Sequence, residues 1–249
     1  MLKEQHTRRM RVFAGPNGSG KSTIIKEIQK RYKTGVYINA DDIEKSAREK
    51  GFVNLGDYGL EATPDSFNTY LQHSTLFAKA RQEGYQIDLT FSDNVIRIME
   101  STNSYEAALI ADYLRNLLIG KMETFSFETV MSHSSKLETF RKAHEAGFKI
   151  YLYYIATESP DISVRRVEER VKKGGHPVPP EKIVERYVRS LELLSDMIPY
   201  CHRCFIFDNS LDTGYRLILD VEDGERVTVQ TEDAIPMWTD IYLLQKLGI

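Results

Sequence analysis

Gly15-Pro16-Asn17-Gly18-Ser19-Gly20-Lys21-Ser22-Thr23 fits the phosphate-binding pattern G-x-x-x-x-G-K-[ST] at every fixed position. Glycines let the backbone take positive φ and turn its N–H groups inward, so such a loop makes a concave anion nest. Lys21 is placed to reach the β- and γ-phosphates as a point charge, and Ser22 to give a hydroxyl oxygen to Mg²⁺. The helix that follows adds the positive end of its dipole. A chance match in an ordinary turn is the bland alternative, and the surroundings weigh against it. Met10 to Ala14 is a short run of strand formers, and Lys21 to Tyr32 carries Ile24, Ile25, Ile28 and Tyr32 at helical spacing.

At 249 residues the chain can bury a full core, and its length suits one α/β domain or one core with attached modules. A composition 41% hydrophobic and 28% charged is that of a soluble globular protein, and a net charge of -3 gives no reason to expect nucleic acid or a membrane as partner. Arg8, Arg9 and Arg11 read as a solvated lead-in to the first strand. Met1 to Met10 has no apolar signal region and no stretch has membrane-spanning length, so a cytoplasmic location is expected. Cys201 and Cys204 make a single C-x-x-C beside His202. A redox pair or half a zinc site is open, but reduced structural thiols before a buried strand account for it better.

Further along, Gly35 to Ala40 reads as a second strand that delivers Asp41 and Asp42 at its carboxyl end, where ligands of open parallel sheets sit. These aspartates either cap a helix beginning near Ile43 or serve chemistry, and two adjacent carboxylates exceed what a cap needs. Thr63 to Gln82 is expected as one helix with Phe67, Tyr70, Leu71 and Phe77 inward, and Ile87 to Phe91 as a short strand or connector; Asp88 and Asp93 read as loop acids. Tyr105 to Leu118 is a packing helix ending at Gly120. Thr124 to Thr129 repeats the strand and polar tip, followed by a helix through Leu137, Phe140 and Ala143. Glu128 and Thr129 then stand at the glycine-loop edge or cap that helix.

Lys149 to Ala156 is apolar enough for an interior strand. Helices over Asp161 to Lys173 and Pro180 to Leu194 flank Gly174-Gly175-His176-Pro177-Val178-Pro179 and carry an excess of cations, with Arg166 and Arg170 on one face. Salt bridges to Glu168, Glu169 and Glu185 explain some of them; a mobile lid closing over triphosphate explains the excess. Cys204 to Phe207 is a further strand, ending at Asp208-Asn209-Ser210, either an Mg²⁺-organising tip or a turn. Tyr215 to Thr231 reads as a hairpin about Asp223-Gly224, and Trp238 to Leu247 as a closing helix.

The glycine loop, Tyr37-Ile38-Asn39-Ala40-Asp41, Phe127-Glu128-Thr129, and Arg166-x-x-x-Arg170 followed by Gly174-Gly175-His176-x-Val178-Pro179 together resemble the zeta-toxin family, most of all its short bacterial members. The resemblance covers most of the chain except about residues 51–102, which read as an insertion, with a lid at about 158–200 in a single domain over 1–249. It implies a three-layer P-loop NTPase fold of the kinase type: a mainly parallel sheet, helices on both faces and a helical lid. It also implies an ATP- and Mg²⁺-dependent kinase, since the toxins phosphorylate the 3′-hydroxyl of UDP-N-acetylglucosamine. Asp41 is then the general base, Glu128 and Thr129 hold the small-molecule acceptor, and lid cations contact phosphate. Assignment among Arg166, Arg170 and His176 stays open, with His176 set among the substrate contacts. An antitoxin enters as a candidate partner. A kinase of another sugar, nucleoside or antibiotic hydroxyl remains an alternative. So does an ATP-hydrolysing switch, although N-K-x-D and L-S-G-G-Q motifs are absent.

Overall fold

The β-branched and aromatic runs form, in chain order, strands β1 (Arg9–Ala14), β2 (Val36–Ile38), β3 (Phe52–Asn54), β4 (Leu89–Ser92), β5 (Val95–Ile98), β6 (Phe125–Thr129), β7 (Lys149–Ala156), β8 (Arg203–Asp208), β9 (Arg216–Glu222) and β10 (Arg226–Val229). The principal helices are α1 (Lys21–Arg31), α2 (Ala40–Lys50), α3 (Pro64–His73), α4 (Thr75–Gln82), α5 (Ser104–Lys121), α6 (Ser135–Glu145), α7 (Pro160–Lys172) and α8 (Pro180–Glu192). The structure, a computed structural model, describes residues 7–98 and 103–249. Residues 99–102, at the end of the expected insertion, lie outside the described residues, as do residues 1–6. The chain divides into two compact units, one running up to Thr34 and resuming over Ser126–Ile249, the other Gly35–Phe125.

In the first unit the strands stand in the order β10-β9-β8-β7-β1-β6. β1, β7 and β8 are parallel, with Val12 opposite Leu152 and Leu152 opposite Cys204. β9 and β10 extend the sheet antiparallel, joined by Asp223 and Gly224 at φ 49° and 72°, the hairpin expected there. The fold is thus mixed α/β with a mostly parallel central sheet. Successive residues of β7 point to opposite faces. Tyr154 looks to α8, where its hydroxyl lies 3.0 Å from Ser190 Oγ, and to Trp238 at 6.2 Å between ring centroids. Tyr153 looks the other way and stacks between Phe13 and Phe205, 5.2 Å from each. The end of α1 reaches that second face, where Tyr32 lies over Arg11. Both faces therefore carry helices.

Two sequence expectations change in this unit, and the one for the cysteines holds. Arg11 is not solvated: it is 5% exposed, while Arg8 is exposed as expected. The closing helix is interrupted, since Asp240–Leu244 is wound as a π-helix between Met237–Thr239 and Gln245–Leu247. Cys201 and Cys204 are free, buried thiols, and burial pushes both thiol pKa values up, which suits packing and opposes thiolate chemistry.

The second unit is built on α5, which packs on α2 and α4, and on an antiparallel sheet in the order β3-β5-β4. Asp93 and Asn94, at φ 53° and 62°, form the two-residue turn between β4 and β5. The Asn94 side chain also donates to Leu60 O (2.9 Å) and accepts from Ala62 N (3.1 Å). Phe67 is buried against Phe91 and Tyr113. The single helix expected over Thr63 to Gln82 is broken at Ser74, whose hydroxyl accepts from Phe77 N and starts α4 afresh; Leu76 is buried at 7% and Phe77 only half-buried. Gly120 does not end α5: the helix runs through it to Lys121 and stops at Met122, left-handed at φ 60°.

Candidate phosphate-binding site

The glycine loop joins β1 to α1, the strand–loop–helix order its chemistry requires. Gly18 has φ 74°, and a Cβ there would lie 2.6 Å from Ser163 O, in the first turn of α7. Gly20, the residue before α1, has φ 100°, and a Cβ would lie 2.2 Å from Asn209 Nδ2. Both positions need glycine for conformation and for space.

Lys21 is 7% exposed and folds back over its own loop. Its ammonium donates to Gly15 O at 3.0 Å and Pro16 O at 2.9 Å, and stands 3.8 Å from Glu128 Oε1 at the end of β6. A buried ammonium needs such acceptors, and phosphate oxygens are acceptors of the same kind. Ser19 N donates to Pro16 O, tightening the loop, while two oxygens within it, Asn17 Oδ1 and Ser19 Oγ, are buried with no hydrogen-bond partner. Ser22 and Thr23 are exposed in the first turn of α1, so the Ser22 hydroxyl has the hard-oxygen chemistry and the access that Mg²⁺ requires. The helix is pinned from its far side: the Tyr215 phenol donates to the Glu27 carboxylate, and burial with that carboxylate pushes the phenol up to about 12.

Asp208-Asn209-Ser210 proves more informative than a turn, though not as a metal tip. Asp208 is 2% exposed and occupied: it accepts from Trp238 Nε1 at 3.2 Å, Ser210 Oγ at 2.5 Å and Arg216 Nε at 3.4 Å. Asn209 is the residue that touches the loop, its Nδ2 donating to Ser19 O at 2.8 Å. The one signal for it in the sequence was its position just past the carboxyl end of an apolar strand.

Arg166 donates through Nη1 to Asn209 O at 2.7 Å, which seats this α7 cation on the residue that braces the loop. Arg170 turns away, donating to His176 O at 3.0 Å and closing the segment after α7. His176 is exposed; its carbonyl serves that closure. Against the sheet, α8 is held by Tyr187, which donates to Thr157 O at 2.5 Å, and by Ser190, which donates to Val130 O at 2.6 Å. Burial raises the Tyr187 phenol strongly, keeping it a donor. Thr129 accepts from Met131 N at 3.0 Å and so shapes a turn in which Met131 has φ 57°.

In the second unit, α2 begins at Ala40 rather than near Ile43, and its cap is Asn39, whose Oδ1 accepts from Asp41 N at 3.0 Å. Asp41 and Asp42 are exposed residues of the first turn, favourable to the helix dipole and not needed as caps.

No protein-family profile matches the chain. A 63-residue stretch is 33% identical to an uncharacterized protein of Haemophilus influenzae, over 25% of this chain and 45% of that protein. Among solved structures, a chain of the AvrRxo1-ORF1:-ORF2 complex with ATP superposes with a TM-score of 0.52 at 18% identity, covering 91% of this chain and 62% of that one. The PezAT chromosomal toxin–antitoxin system of Streptococcus pneumoniae matches with a TM-score of 0.48 at 16% identity, over 98% of this chain and 79% of that one. The chain thus spans less than two thirds of the Haemophilus protein and of the AvrRxo1 chain it resembles. At such identities the likeness is one of fold. No helix among the described residues is long and apolar enough to cross a membrane.

Proposed function

We propose, from the zeta-toxin-like P-loop kinase fold of this chain, that it is an ATP-dependent phosphotransferase acting on the hydroxyl of a small molecule. The observation that carries the reading is the setting of Lys21, buried in the glycine loop between two loop carbonyls and the Glu128 carboxylate. A carboxylate beside the phosphate lysine can orient an acceptor hydroxyl for in-line attack.

In this reading the N–H groups of 15–22 hold the phosphates, and Lys21 exchanges its loop carbonyls for phosphate oxygens. Mg²⁺, when bound, neutralises phosphate charge, and Ser22 is the residue to hold it. Phosphoryl transfer passes through a loose transition state with charge spread on the equatorial oxygens, so cations placed at that point do most of the work. Arg166 is the α7 cation seated for this; Arg170 and His176 shape the segment that carries it. Asp41 accepts the proton of the acceptor hydroxyl, and Glu128 with Thr129 orients the acceptor. A nucleotide sugar such as UDP-N-acetylglucosamine is the acceptor the resemblance favours, and a second protein acting as antitoxin is its proposed partner. The AvrRxo1 structure, itself a two-protein complex with ATP, supports both the cofactor and the partner.

Purified protein given radiolabelled ATP and a metabolite extract tests this directly. Label should appear on one acceptor, and ATP consumption should rise when that acceptor is added. Steady hydrolysis indifferent to every acceptor would give the chain to the switch class.

A further inference from the structure

We propose a second ligand site on the Tyr153 face of the sheet, at the amino-terminal half of β1, β7 and β8, that takes a nucleotide-like compound: a planar aromatic ring bearing phosphate. It does not depend on the kinase reading. A cavity of about 490 Å³ opens there, within the usual size for a small-molecule pocket. Arg11 lies four residues before Gly15, about 13 Å along an extended strand, so the cavity stands apart from the glycine loop.

Its walls have two chemistries. Arg9, Arg11, Arg31, Lys33 and Arg203 contribute five cations. Asp220 answers Arg203, accepting from its Nε at 3.1 Å and pairing with Nη2. Arg11 is the unusual member. It is 5% exposed, with its guanidinium 5.6 Å from the Tyr32 ring centre and 5.1 Å from that of Tyr151. One contact goes to the Tyr153 hydroxyl, but Nε and Nη1 are buried without any hydrogen-bond partner. Two orphaned donors on a buried cation are costly unless an acceptor completes them, and an anion is the acceptor that also answers the charge.

The second chemistry is aromatic. Phe13, Tyr153 and Phe205 form a row of near-parallel rings, tilted 19° and 15° between neighbours, and Arg203 sits over Phe205 at 5.3 Å. These stacked rings cover one another's faces, and Phe13 and Tyr153 are buried, so the lining ring left open to a flat ligand is Tyr32. Tyr32, 53% exposed, is the outer half of the sandwich around Arg11, and lifting it opens Nε and Nη1 to a phosphate. A pocket of this size in a chain of net charge -3 suits a mononucleotide, whereas a duplex would need an extended basic face.

Calorimetric titration of 5′-AMP, 5′-UMP and 5′-GMP tests the site. At least one should bind, one molecule per chain, and the binding should persist in Lys21→Met, which disables the glycine loop. It should weaken about 10–100-fold in Arg11→Gln, the range for losing charge-assisted hydrogen bonds. Because a buried arginine can also matter to folding, Arg31→Gln/Lys33→Gln, at two exposed positions, provides the second variant; it should weaken binding at an unchanged melting temperature. The matching nucleoside and inorganic phosphate should each bind far more weakly than the nucleotide. Full affinity in both arginine variants, loss of binding in Lys21→Met alone, binding of oligonucleotides but not mononucleotides, or no saturable binding of any of the three probes would each overturn the proposal.

Discussion

The side-chain amide of Asn209 donates to the carbonyl of Ser19 at 2.8 Å, tying the tip of β8 to the glycine loop, and Arg166 docks on the same residue's carbonyl at 2.7 Å. One asparagine thus braces the loop through its side chain and seats the α7 arginine through its backbone. Asn209→Ala removes the first contact and keeps the second. At about 1 kcal/mol for one hydrogen bond, affinity for a non-hydrolysable ATP analogue should fall roughly 3–10-fold, with a melting shift of only a few degrees. Calorimetry reads both, and an unchanged dissociation constant would leave Asn209 without a role in the loop.

Lys21→Met keeps the apolar stem and removes the ammonium that Gly15 O, Pro16 O and Glu128 share. Transfer should fall below detection while circular dichroism stays that of the wild type. Methionine is the better test than alanine, because Lys21 is buried and truncation would add a packing loss of its own. Retained turnover would remove the loop from the mechanism.

Arg166 and Arg170 lie one helical turn apart but should separate in kinetics. Arg166→Ala should lower kcat by about 10²-fold or more with little change in nucleotide KM, since its task is charge that develops on transfer. Arg170→Ala should leave kcat within a few-fold and make the 173–179 segment easier to cut by protease, because it holds His176 O. Steady-state kinetics and limited proteolysis would show it, and equal kinetic losses would put both residues on the phosphate.

Asn39 and Asp41 divide a role that the sequence left undivided. Asn39→Ala should cost about 1 kcal/mol of stability as a lost cap. Asp41→Asn should leave stability and ATP affinity near wild type while acceptor phosphorylation falls about 10²–10⁴-fold. Denaturant titration alongside acceptor assays separates the two. An Asp41→Asn enzyme at full rate would pass the proton to another carboxylate, with Glu128 first in line.

The strand–loop–helix around Lys21, the strand through Ile150 to Ala156 and the hairpin at Asp223-Gly224 were legible because each is signalled locally, by alternation, glycine spacing or turn chemistry. The break at Ser74 was not: a serine inside a helical pattern caps or continues the helix depending on which neighbouring side chain the core takes, and the core takes Leu76. Likewise Arg11 reads as solvated because three arginines stand nearly together, and only the pairing of β1 with β7 brings Tyr151 beside it and buries it. Asn209 acquires its function from Ser19, 190 residues away, a relation no window of sequence contains.

Trp238 is the chain's one tryptophan, 3% exposed, and its indole N–H is bonded to the Asp208 carboxylate next to Asn209. A single indole hydrogen-bonded to a buried charge has an emission set by that charge's position. The protein therefore comes with an optical reporter one residue from the loop's brace, so nucleotide engagement should be visible as a change in intrinsic fluorescence, without label or added chromophore.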